Sequence, residues 1–251
     1  MTSPDVTPEA SATAAPQPAK SSVWEDFVDI FYAPSRVFAR RTEGRFGIPL
    51  LIVVVAGIVL YLVIKPLIAP AMDAEFARQM AATMRANPQL TPDKVDAMRG
   101  VAGKFAVVGA AFSFLIRPIV LGILLWLIGK LVDARESISS AIMVATFASV
   151  PFLVALVVMG IEGAVMSPDQ MTGMAALSIS PARFFDPAQT SPYLMALLSR
   201  VDLFVIWATV LLAIGLAVTG KVSRTRAAVV ALIVWLIGVV PAALSAARAS
   251  A

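Results

Sequence analysis

The chain has no histidine and no cysteine. Without cysteine there is no disulfide, no thiolate nucleophile and no Cys-ligated zinc or iron–sulfur site. Without histidine there is no His-based triad and no imidazole metal ligand. Charge is also scarce: Asp, Glu, Lys and Arg make up 14% of the 251 residues, and hydrophobic residues 59%. An average soluble domain has about 25% charged and 45–50% apolar residues. The mean hydropathy of +0.85 points the same way. This composition excludes a soluble globular enzyme and a disordered chain. No catalytic residue, metal ligand or cofactor is assigned. The net charge is +4, but in so apolar a chain the basic excess reads first as membrane topology, and no nucleic acid is expected as a partner.

The apolar residues gather in five long stretches. Phe46–Ile64 and Ala227–Ala247 carry no charge, and neither do Ser137–Ile161 and Leu203–Gly220; Phe105–Gly129 is interrupted by Arg117 alone. A bilayer core needs about 20 apolar helical residues, so spans are expected at about 46–66, 105–129, 138–161, 203–220 and 227–247. The fold class expected is all-α: an integral membrane bundle of five transmembrane helices, with an N-terminal amphipathic interfacial helix and short extracytoplasmic helices.

Residues 1–21, with Pro4, Pro8, Pro16 and Pro18 among Ala, Ser and Thr, read as a disordered tail before a membrane domain at 22–251. No apolar run precedes residue 45, so the first span is expected to be an uncleaved anchor. Ser22 and Glu25 have the spacing of a capping box. Trp24, Phe27, Val28 and Phe31 then share one helical face, with Glu25, Asp26 and Asp29 opposite. Pro34 ends this helix and starts another, carrying Phe38 beside Arg36, Arg40, Arg41 and Arg45. Aromatic side chains next to arginines suit a helix lying on an anionic leaflet. That membrane-surface set is Trp24, Phe27, Phe31, Tyr32, Phe38, Arg36, Arg40 and Arg41; the plainer alternative is a helix packed on the protein's own bundle.

Short connections at 130–136 and 221–226 are basic, whereas those at 70–104 and 167–200 are long and mixed in charge. A cytoplasmic N-terminus puts ten Lys/Arg inside and eight outside, which sets the expected orientation: N-terminus cytoplasmic, C-terminus extracytoplasmic. Met72, Phe76, Met80 and Met84 recur every fourth residue and predict an amphipathic helix in the first long connection. Thr91-Pro92-Asp93 predicts the start of a helix running into the second span, and Ser191-Pro192 that of a short helix before the fourth.

Arg117 is the most informative polar residue. It lies 12 residues from either end of its stretch, about 18 Å at 1.5 Å per residue. A mid-membrane arginine is a functional-site hypothesis by default. Pro118 beside it frees the carbonyl of Phe114, which offers a structural role instead. Either role requires Arg117 to face protein or water. Glu162 and Asp202 are the acids at the edges of the third and fourth spans and read first as helix-end charges, Asp202 as a cap. Gly215, Gly220 and Lys221 imitate a P-loop, but Val222 stands where Ser or Thr must hold magnesium, so nucleotide binding is set aside. Small residues four apart, as in Gly109/Ser113, Ala145/Ser149 and Gly160/Ala164, suit close helix packing. Pro151 and Pro241 are expected to kink their spans.

Two motifs carry a family resemblance. The run from Trp24 through Phe31-Tyr32-Ala33-Pro34-Ser35-Arg36-Val37-Phe38 resembles the F-Y-x-P-x-x-V-F opening of bacterial Yip1-domain proteins. Asp202-Leu203-Phe204-Val205-Ile206-Trp207 with Leu211 to Leu216 resembles that family's fourth span. The family-like positions are Phe31, Tyr32, Pro34, Phe38, Asp202 and Trp207. The resemblance implies five spans and a cytoplasmic N-terminus but assigns no catalytic residue. Eukaryotic relatives are linked with Rab GTPases and vesicle traffic; their D-L-Y-G-P-type motif is missing here, so that role is not carried over. The expected activity is that of a non-enzymatic scaffold or accessory subunit in the lipid bilayer, binding protein partners, lipids or further copies of itself. The alternative is a small transporter, channel or lipid-moving protein built around Arg117.

Overall fold

A computed structural model describes residues 22–240 except 88, without the side chains at 82 and 86. The expected tail at 1–21, Pro241 and the last part of the fifth expected span lie outside the described residues.

Every regular element among the described residues is helical. The capping box forms: the Glu25 N–H donates to Ser22 Oγ at 3.2 Å, and the Ser22 N–H donates to Glu25 Oε2 at 3.0 Å. It starts α1 (Val23–Tyr32), and Pro34 opens α2 (Pro34–Arg40). Two long helices follow, α3 (Gly47–Ala86) and α4 (Pro92–Gly129). Next come α5 (Ile138–Ala148) and α6 (Val150–Val165), joined at Ser149 with Pro151 in the first turn of α6. Three short 3-10 turns lead to α7 (Pro192–Arg200), α8 (Leu203–Thr219) and α9 (Arg224–Ile237).

Among the described residues three helical stretches are long and apolar enough to cross a membrane: Gly47–Arg85, Pro92–Val132 and Ile138–Val165. The α7–α8 pair, bent by 56°, makes a fourth if it counts as one span. The described part of α9 is 14 residues, which at 1.5 Å per residue is about 21 Å and short of the hydrocarbon core.

The first long connection differs from expectation. The amphipathic run from Met72 to Met84 is the continuation of α3, not a separate interfacial helix. Thr91 occupies the N-cap of α4 without a side-chain bond; Pro92 starts that helix by its preset φ and missing N–H. At 40 and 38 residues, α3 and α4 are each nearly 60 Å long, about twice the hydrocarbon thickness. The reason is local: no glycine or proline lies between Pro70 and Pro88, so nothing ends the helix where the apolar stretch ends.

The core centres on α5, where every residue from Ser140 to Ala148 is buried. Glycines set its neighbours' distances. A Cβ on Gly122 of α4 would stand 2.5 Å from the Ile142 Cα, and one on Gly215 of α8 would stand 2.2 Å from a Val144 methyl. On the other side a Cβ on Gly160 of α6 would stand 2.6 Å from Ile64 of α3. Such close approach gains dispersion contacts where lipid offers no hydrophobic drive. Gly109 meets nothing within 4 Å, so the expected Gly109/Ser113 packing does not form.

Candidate functional site

Two arginines and an aromatic cradle meet where the helices are least regular. Arg117 on α4 projects toward the α5–α6 joint, and its guanidinium carbon lies 3.5 Å from the centre of the Phe152 ring. Phe152 comes directly after Pro151, so the proline that opens α6 also positions the ring. The Arg117 guanidinium has no hydrogen bond or ion pair among the described residues, and the side chain is exposed at the bundle surface.

Arg117 faces a cavity of about 230 Å³ bounded by α4, α8 and α9. Most of the wall is apolar, including Val120, Leu121, Leu124, Leu212 and Val234; the second charge in it is Arg200. Arg200 ends α7 and reaches α9, where its Nη2 donates to the Trp235 carbonyl at 3.0 Å and its backbone carbonyl accepts from Trp235 Nε1 at 3.2 Å. Cations suit a helix C-terminus, so this bond caps α9. The Nε of Arg200 is buried without a hydrogen-bond partner. Among the described residues lining this cavity none is acidic.

A second cavity of about 210 Å³ shares Arg117, Phe152 and Val205 with the first and extends to Ser178, Ser199 and Asp202. Asp202 caps α8, its Oδ1 accepting from the N–H of Phe204 at 2.8 Å and of Val205 at 3.3 Å. Thus Arg117 and Asp202 border one space without a direct bond.

Depth follows from a shared level at the other end. A Cβ on Gly129 of α4 and one on Gly220, just after α8, would each meet a carboxylate oxygen of Glu136. Arg117 precedes Gly129 by twelve residues and Asp202 precedes Gly220 by eighteen, about 18 and 27 Å up the bundle. Arg117 and Asp202 therefore stand about 9 Å apart in height along the bundle, with Arg117 nearer the Glu136 end.

Glu162 is held elsewhere. Its oxygens accept from both Nη atoms of Arg183 at 3.2 and 3.1 Å, a two-pronged pair that ties the 3-10 segment to α6. Arg183 lies 21 residues away with no periodic signal linking the two.

The residues expected on a membrane surface divide. Phe38 is fully buried; Phe27 packs on Phe147 at 5.3 Å between ring centres, and Phe31 meets Trp207 edge-on at 5.3 Å. These aromatics therefore face the protein's own bundle, which corrects the surface placement of Phe27 and Phe38. Trp24 and Tyr32 stay largely exposed, as does Arg36. Pro34 sits at the first position of α2. Arg40 and Arg41 turn back on α1: Arg40 Nη2 donates to Asp26 Oδ1 at 2.7 Å and Asp29 Oδ2 at 2.6 Å, and Arg41 Nε to Asp26 Oδ2 at 2.6 Å. Asp26, expected on the outer face, is buried. The bond from Asp29, with Asp26 behind it, holds the Arg40 guanidinium above its ordinary pKa despite some desolvation.

The long apolar helices and scarce charge define an integral membrane protein of helical class. Residues 28–245 match the Yip1 domain family, so the chain belongs to it. The chain shows no match among curated proteins or among solved structures.

Proposed function

We infer that the protein is a non-enzymatic membrane scaffold or accessory subunit that docks partner helices on its projecting α3–α4 hairpin. One observation carries this reading. On α4, Met98, Val101, Phe105, Val108 and Phe112 are all exposed, and they are spaced alternately three and four apart. That is the seam spacing by which one helix receives another. The stripe begins among Asp93, Lys94, Asp96, Arg99 and Lys104 and runs into the apolar stretch. Because α4 is nearly twice as long as the hydrocarbon is thick, part of the stripe stands outside lipid, where exposed Met and Val side chains gain from being covered. The hairpin is stiffened by Arg99, whose Nη2 lies 3.3 Å from Asp73 Oδ1 and whose guanidinium lies over the Phe76 ring.

The test is photo-crosslinking in native membranes, with the reactive group placed at Val101 and, on the opposite face of the same helix, at Asp96. The expected result is a discrete protein adduct, with a second copy or another chain, from position 101 and not from 96. Equal labelling at both positions, or lipid adducts alone, would remove the reading. C-terminal alkaline-phosphatase and fluorescent-protein fusions test the proposed orientation in the bacterial cytoplasmic membrane; phosphatase activity is the expected outcome, and fluorescence would reverse it.

A further inference from the structure

The cavity that holds Arg117, midway along its apolar stretch, and Arg200 contains two like charges with no acid among its described lining residues; Asp202, in the adjoining cavity, is engaged in capping α8. At low effective dielectric such a pair repels, and each guanidinium loses hydration it cannot recover from apolar neighbours. The Phe152 face returns part of this to Arg117, and the Trp235 carbonyl serves one nitrogen of Arg200. Among the described residues the Arg117 donors have no hydrogen-bond acceptor, and neither has the buried Arg200 Nε.

We propose that this cavity binds an anionic amphiphile, its carboxylate or phosphate lying between Arg117 and Arg200 and its acyl chain leaving the bundle past Val120. A planar guanidinium offers paired N–H donors that match the oxygens of either anion. One negative charge also removes the repulsion between the two arginines. The wall suits a chain next to that headgroup, since Leu121, Leu124 and Leu212 present only hydrocarbon. The volume of about 230 Å³ accommodates a headgroup and a few methylenes but not a diacyl lipid, so the remaining chain must lie in the bilayer. The exit is open there: Val120 is 46% exposed, and Arg117 beside it is exposed too. A soluble anion would have to reach the same depth without a chain to carry it. The site does not rest on the scaffold reading, because none of the stripe residues lines the cavity and neither outcome of the crosslinking test changes it.

The experiment uses the full-length protein purified in mild detergent and titrated in native mass spectrometry with four probes: oleate, phosphatidylglycerol, phosphatidylcholine and inorganic phosphate. The expected result is one tightly held oleate or phosphatidylglycerol and weak phosphatidylcholine. Arg117→Gln should weaken the anionic lipid about tenfold or more, the scale of one lost charge-assisted contact, and Arg117→Lys should restore part of it. Arg135→Gln, exposed at the opposite end, should leave binding unchanged. Val120→Trp keeps both charges and blocks the exit, so it should weaken lipid but not inorganic phosphate, and it serves if Arg117→Gln fails to fold. Equal retention by wild type and Arg117→Gln, or equal affinity for phosphatidylcholine, overturns the proposal. Tight inorganic phosphate binding without a lipid preference overturns the amphiphile in favour of a free anion.

Discussion

Two arginine-bearing regions of this molecule look alike in composition and differ in what faces the charges. In the N-terminal clamp, Arg40 and Arg41 meet Asp26 and Asp29 at 2.6–2.7 Å. In the α4–α8–α9 cavity, Arg117 and Arg200 meet aromatic rings, one backbone carbonyl and hydrocarbon. The first region is electrostatically complete and holds α2 against α1, which positions Val37 and Phe38 in the core. The second is incomplete. A closed ion network is a structural part; two like charges whose neighbouring acid, Asp202, is engaged in capping α8 are suited to receiving an anion from outside.

The sharpest way to break this contrast is to remove the acid from the clamp. Asp26→Ala leaves two arginines facing each other beside a buried site and should cost about 3 kcal/mol, the low end for a broken buried pair because both arginines are partly exposed. Arg117→Gln should cost less than about 1 kcal/mol in the lipid-free protein, since it removes no hydrogen bond and relieves repulsion. Thermal unfolding in detergent compares the two, and an equal loss from both would erase the distinction.

A packing counterpart is smaller. Gly122→Ala places a methyl 2.5 Å from the Ile142 backbone and should cost about 2 kcal/mol through overpacking. Gly109→Ala, with nothing within 4 Å, should be neutral or stabilising by up to about 1 kcal/mol through helix propensity. Unfolding of the two variants side by side checks whether α5 anchors the bundle while the start of α4 stands free.

The smallest effect concerns Glu136. It is buried, and neither carboxylate oxygen has a hydrogen bond among the described residues. Burial raises its pKa, opposed by its own backbone and by Lys130, whose Nζ donates to the carbonyls of Ala134 and Glu136. An acid with a raised folded pKa stabilises the fold below its unfolded value, near 4.5, and that contribution is lost as pH rises through the folded value. The slope from one proton cannot exceed about 1.4 kcal/mol per pH unit. Glu136→Gln should flatten the profile and be the more stable protein at neutral pH. An unchanged profile would mean the carboxyl ionises in place.

Much of the local structure was readable from neighbouring residues. The Ser22/Glu25 box, the Pro34 and Pro92 helix starts and the Asp202 cap are all short-range, and each formed as the spacing implied. The acid partners were not readable. Asp26 looked like part of a solvated face because amphipathic spacing ranks residues by polarity and is blind to an arginine fourteen positions on. Glu162 with Arg183, and Arg200 with Trp235, are joined across 21 and 35 residues, distances at which periodicity carries no information. The surface placement of Phe27 and Phe38 failed for a related reason: an apolar helix face specifies that something covers it, but not whether lipid or protein does.

By itself the sequence determined where this protein resides and which chemistry it lacks, because apolar run length and the missing histidine and cysteine are properties of composition and order. It also placed one arginine midway along an otherwise uncharged stretch. Tertiary structure alone decided which charges are paired. That depends on helix contacts set by glycine approach at Gly122, Gly160 and Gly215, and on the bend that brings Arg200 from α7 to the end of α9. Through those contacts one basic cluster became a closed clamp, and the other a pair of arginines lining an apolar cavity.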